Sequence, residues 1–147
     1  MSHSISITDH DMDLRSGIAA FEGKHFATAM QLLSPLAEEG DAEAQYRVAI
    51  MCQNGLHGAP QPADAYRWMA AAAEQGHPYA QHGLGFMYLE GECVEAADAA
   101  LAATWFRRAA DQGLIGSMST LAMLYQEGRG VEQSDTEAAH WLKAAGF

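Results

Sequence analysis

Apolar residues fall at helical spacing in short stretches of this chain, and the stretches recur at a fixed step. In one of them Ala44, Val48, Met51 and Cys52 share a helical face, and Ala80, Leu84, Met87 and Tyr88 repeat the arrangement. Gly55, Gly91 and Gly128 follow these stretches, where a left-handed glycine commonly ends a helix. After each break comes a second helical stretch with a tryptophan: Trp68, Trp105 and Trp141, spaced by 37 and 36 residues. Gly40, Gly76 and Gly113 keep the same step. A period this long marks a supersecondary unit rather than a catalytic motif.

The units are residues 41–76, 77–113 and 114–147, each predicted to be two helices around a glycine-containing loop. Pro62 suits the first position of a second helix, and Ser134 with Glu137 fits a capping box. Upstream, Gly17, Phe26, Ala29, Leu33 and Leu36 read as a further helical hairpin over residues 14–40, preceded by a flexible segment over 1–13. One domain is expected over 14–147. Gly85 sits inside a predicted helix, where glycine costs about 1 kcal/mol relative to alanine. Its presence points to a close helix approach, shared with Ala49 and Ala122 in the neighbouring units.

These landmarks resemble the Sel1-like repeats, relatives of the tetratricopeptide repeats. The resemblance rests on Ala80, Leu84, Gly85, Tyr88, Gly91, Val94, Trp105, Ala109, Ala110 and Gly113 in one unit. In the next it rests on Leu121, Ala122, Tyr125, Gly128, Gly130, Val131, Trp141, Ala144 and Ala145. The unit over 41–76 departs from the pattern, with Cys52 at the tyrosine position and Ala59-Pro60 near the Gly-Val position. The resemblance implies an all-α fold, a right-handed α/α superhelix (solenoid) of stacked helical hairpins, whose stability is shared between neighbouring units.

It also implies that the first helix of each unit lines a concave side. At 100° per residue, the direction opposite the buried stripe holds Tyr46, Ile50 and Gln53, then His82, Phe86 and Leu89, then Ser119, Met123 and Gln126. Ile50, Phe86 and Met123 would form an apolar ladder along that groove, which marks a recognition surface if exposed and inter-repeat core if adjacent first helices bury it between themselves. Trp141, Leu142 and Phe147 have no following unit in this sequence, so a second copy or a partner is expected to cover them, giving either a homodimer through the C-terminal end or a binding site there.

Charge narrows the partners. Eight Lys and Arg against 19 Asp and Glu give a net charge of −11. Phosphate recognition needs clustered cations, so nucleic acid and anionic membrane are disfavoured, and a basic protein or peptide is permitted. No run approaches the length of a membrane span, and the first residues lack the pattern of a secretory signal, so a cytoplasmic location is expected.

Candidate chemistry is sparse. The seven histidines, at 3, 10, 25, 57, 77, 82 and 140, form no His-x-x-x-His pair and have no Cys-x-x-Cys partner. His10 lies among Asp9, Asp11 and Asp13, acids that suit a helix start better than a cation site. Cys52 and Cys93 are 41 residues apart and make no within-unit pair. A cysteine-rich branch of the Sel1-like family staples each repeat with a disulfide, and penicillin-binding or β-lactamase activity has been attributed to it; this chain lacks the staple. Gly83-Leu84-Gly85 lies within a helix rather than after a strand, so it is no nucleotide fingerprint. The expectation is a non-enzymatic protein-binding module without cofactor or metal, holding a peptide or helix in its groove. An antagonist covering a toxin or enzyme, a self-associating subunit and, last, a hydrolase are the alternatives.

Overall fold

A computed structural model describes residues 7–147, and among the described residues there are eight helices and no strand. The helices are α1 (Ile7–Glu22), α2 (Phe26–Glu38), α3 (Ala42–Asn54), α4 (Pro62–Glu74), α5 (Pro78–Glu90), α6 (Ala99–Asp111), α7 (Ile115–Glu127) and α8 (Asp135–Ala144). α1 packs against α2, α2 against α3, α5 against α6, α6 against α7 and α7 against α8. Contacts divide the described residues into two compact units, parting after Ala72.

The first unit opens on the expected hairpin, α1 against α2. Ala29, Leu33 and Leu36 form its buried face, and a methyl group placed on Gly17 would collide with the Leu33 side chain, so α1 crosses α2 on glycine. Phe21 and Phe26 meet edge to face across the turn, 5.7 Å between centroids. The flexible segment expected over 1–13 needs correction in part: α1 starts at Ile7, and residues 1–6 lie outside the described residues. His10, among the acids at the start of α1, has a definite task as well. His10 bonds through Nε2 to Asp41 Oδ2 at 3.0 Å, while Asp41 Oδ1 accepts the Ala44 amide at 2.8 Å as the N-cap of α3. One carboxylate thus caps one helix and ties down another.

In the second unit α5 to α8 enclose a core that includes Phe106, Leu121, Leu124 and Trp141. The glycine expectation holds there: a methyl group on Gly85 would lie 2.9 Å from the Phe106 ring. Gly55, Gly91 and Gly128 end α3, α5 and α7 with φ of 63°, 70° and 64°, the left-handed stop expected of them. Pro62 opens α4, and Ser134 Oγ accepts the Glu137 amide at 3.1 Å at the start of α8.

Each tryptophan carries an arginine over its ring. Arg67 lies over Trp68 at 4.2 Å, Arg108 over Trp105 at 4.5 Å and Arg107 over Trp141 at 5.2 Å. Trp105 and Trp141 are buried, whereas Trp68 is half-buried.

Two features went unread in the sequence. Gln45 and Gln81, in the same register of α3 and α5, are buried and donate from Nε2 to the Ala37 and Ala73 carbonyls at 3.1 and 3.2 Å. Each answers a carbonyl at the end of the preceding helix, one of the groups an α-helix leaves without an internal partner. The signal was a glutamine beside the buried Ala44 and Ala80.

Candidate functional site

The first helices of the second unit, α5 and α7, carry the residues expected to line a groove. His77 caps α5, its Nδ1 accepting the Ala80 amide at 3.1 Å, and Pro78 stands at the first helical turn. From that start Tyr79, His82 and Phe86 follow one face at helical spacing, as Ile115, Ser119 and Met123 do along α7. Tyr79 is 57% exposed, Ile115 58% and Met123 37%, so three large apolar side chains reach the surface here.

Beneath them is a ring cluster. His82 meets Phe86 at 5.0 Å and Phe106 at 5.4 Å, and Phe86 meets Phe106 at 4.9 Å, all edge to face. His82 Nδ1 lies 2.7 Å from the hydroxyl of Ser117, a fully buried residue of α7. The imidazole therefore links two hairpins while its ring packs on two phenylalanines. Burial pushes the His82 pKa below its ordinary 6.5.

The sign of the resulting pH dependence follows from which state binds the proton. Well above pH 6.5 His82 is neutral both folded and unfolded and contributes no pH dependence. As pH falls through 6.5 the unfolded chain takes up a proton that the folded state resists, so stability drops until the folded pKa is passed. His82→Gln is expected to flatten the decline in denaturation midpoint just below pH 6.5. An unchanged profile in the variant would show that His82 contributes nothing to it.

The structure sorts the expected site residues. On α5 and α7, Met123 and Gln126 are exposed, while His82, Phe86 and Ser119 are half-buried. Leu89 does not: it is 4% exposed and belongs to the core with Leu121, Leu124 and Trp141, so its assignment to the groove is corrected. Its carbonyl accepts Arg129 Nη2 at 3.1 Å from the α7–α8 loop, which packs over that end of α5. In the first unit Tyr46, Ile50 and Gln53 are each half-buried on α3.

One part of the C-terminal expectation is corrected as well. Trp141 is buried in the core of its own unit under Arg107, and Leu142 is partly buried against that core. Phe147 alone of the three is open, at 82% exposure.

Charge divides the second unit by face. α5 and α7 contain no Lys or Arg, and each ends in a glutamate, Glu90 and Glu127. Arg107 and Arg108 instead line a cleft of about 450 Å³ between α6, α7 and the α7–α8 loop. Among the described residues no three His, Cys, Asp or Glu gather as a metal site, and no helix is long and apolar enough to cross a membrane.

Comparison with known proteins agrees with this architecture. The Sel1 repeat model matches residues 42–77, 78–114 and 117–146. Among solved structures, the protective antigen c5321 of uropathogenic Escherichia coli, which displays an SLR fold, is 35% identical with a TM-score of 0.85 over 92% of this chain. A Sel1 repeat protein from Oxalobacter formigenes is 29% identical with a TM-score of 0.83 over 88% of the chain. The chain spans 30% of the first protein's length and 53% of the second's. No curated protein sequence matches significantly. Sel1 repeat proteins generally mediate protein–protein interaction, on an all-α solenoid scaffold that is typically non-catalytic. With three matched repeats in register with its own tryptophan and glycine periods, this chain belongs to the Sel1 repeat family.

Proposed function

We propose that this chain is a non-enzymatic protein-binding module whose α5–α7 face receives a helical or extended peptide with apolar anchors and a basic flank. The observation that carries this reading is the surface exposure of Tyr79, Ile115 and Met123 together on first helices that lack any cationic side chain. Apolar anchors supply most of the affinity at such surfaces, and complementary charge sets orientation and encounter rate. Glu90 and Glu127 mark the end toward which basic residues of the partner would point.

Phe86 supports the face rather than anchoring the partner, because its ring is committed to His82 and Phe106. The pairing of His82 with Ser117 has the composition of a nucleophile and its base, but a fully buried hydroxyl is closed to any substrate. It acts as a structural link, which favours the binding reading over a hydrolase.

The test compares the chain with an Ile115→Ser, Met123→Ser double variant. A protein captured by the chain and identified by mass spectrometry should bind the purified variant at least about tenfold more weakly, a change of about 1.4 kcal/mol. The melting temperature of the variant should stay close to that of the chain. Equal affinity of the folded variant would remove the α5–α7 face from the reading.

A further inference from the structure

In the first unit a cavity of about 210 Å³ is lined by Met30 of α2, by Met51 and Cys52 of α3, and by His57 of the α3–α4 loop. Two thioethers, a thiol and an imidazole thus border one small space, with the exposed loop that carries His57 along one side. The loop is fastened: Gln61 donates its amide to the Cys52 carbonyl at 2.8 Å, and Cys52 Sγ faces Gln61 Oε1 at 3.7 Å. Cys52 is 5% exposed, and that long contact is a weak use of its thiol.

We infer that this cavity is a binding site for a soft monovalent metal ion, Cu(I), held by Cys52 with Met30, Met51 and His57.

The donor set selects the ion. Thioether and thiolate sulfur favour Cu(I) over Mg²⁺, Ca²⁺ or Mn²⁺, which take oxygen ligands. Structural zinc sites take four ligands from Cys, His and carboxylates, and among the described residues no three such groups gather. Charge points the same way. One thiolate neutralises a monovalent cation, whereas a divalent ion would leave net positive charge beside the buried Met51 and Cys52, where it is costly.

Binding is ligand exchange without electron transfer. The S–H bond of Cys52 breaks, an S–Cu bond forms, and the proton leaves to solvent. The flexible side chains of Met30 and Met51 let sulfur turn toward the ion. Met30 Sδ accepts the Ser34 hydroxyl at 3.0 Å and can coordinate through its other lone pair.

The experiment offers the full chain Cu(I) held by the chromogenic chelator bathocuproine disulfonate, without oxygen and with a non-thiol reductant. The chain is expected to withdraw one equivalent and release one proton. Cys52→Ala and Met30→Leu should each lower the apparent affinity at least about tenfold, while Cys93→Ala leaves it unchanged. In the unmutated chain, the methyl resonances of Met30 and Met51 should shift with that equivalent while those of the other six of the eight methionines stay in place. That readout holds even where a variant fails to fold. Four results would overturn the site: no withdrawal of Cu(I), unmoved Met30 and Met51 methyls, dependence on Cys93 in place of Cys52, or Zn²⁺ held as tightly as Cu(I).

Discussion

Phe106→Ala is expected to cost about 3 to 5 kcal/mol of stability, read as a lower midpoint in urea with a nearly unchanged slope. Phe106 is fully buried, and its ring stands edge to face with Phe86 at 4.9 Å and His82 at 5.4 Å. Such aromatic pairs add about 0.5–1.5 kcal/mol beyond burial itself. The cavity left behind could not collapse easily. One wall is Gly85, which has no side chain to move in, and another is His82, held by its bond to Ser117. Poor collapse places a substitution near the upper end of its range. Since whole domains have net stabilities of about 5–15 kcal/mol, this one change should remove a large fraction of the total. A loss below about 1 kcal/mol would show that α5 and α6 do not depend on the ring.

Phe106 also shows where the sequence was legible and where it was not. The period, the left-handed glycines and the core positions Ala44, Val48, Met51, Ala80, Leu84 and Met87 follow from spacing alone, since each is set by a local helical rule. Gly85 signalled a close approach because a glycine inside a helix needs a reason. Which side chain filled the space could not be read, because Phe106 lies 21 residues on, in another helix.

Leu89 departs from its expected place for a related reason. A single buried stripe describes a helix with a neighbour on one side, but α5 is covered at its C-terminal end by the α7–α8 loop as well as by its packed helices. Leu89 therefore turns into the core from a position that the 100° rule placed outside. Met123 on α7 lacks this second cover and remains open. Trp141 was misjudged through the same one-dimensional view: its ring packs back onto the preceding helices, so no following repeat is needed to bury it. The sulfur-lined cavity could not be read either, since Met30 and Cys52 come from different helices and no spacing rule joins a thioether to a thiol.

Gly130→Ala should be the most damaging exchange of a single hydrogen for a methyl group among the loop glycines, at about 2 to 5 kcal/mol. Two costs combine there. Gly130 has φ of 74°, where a side chain costs about 1–2 kcal/mol, and the added methyl would fall on the carbonyl carbon and oxygen of Ala99. Overpacking of that kind typically costs about 1–3 kcal/mol, and backbone at the first turn of α6 cannot swing aside as a flexible side chain can. The α7–α8 loop must lift instead, loosening Arg129 from the Leu89 carbonyl and uncovering Val131 against the core. Gly146→Ala separates the two costs. Its φ is 96°, but nothing lies within 4 Å of the added methyl, so only the conformational cost applies. Hydrogen exchange supplies the local readout. The Arg129 and Ser134 amides, which donate to the Leu124 and Tyr125 carbonyls at 2.9 and 3.0 Å, should lose protection in Gly130→Ala and keep it in Gly146→Ala. Equal midpoints for the two variants, with these amides still protected in both, would mean that the loop rests on α6 without depending on the close approach that glycine permits.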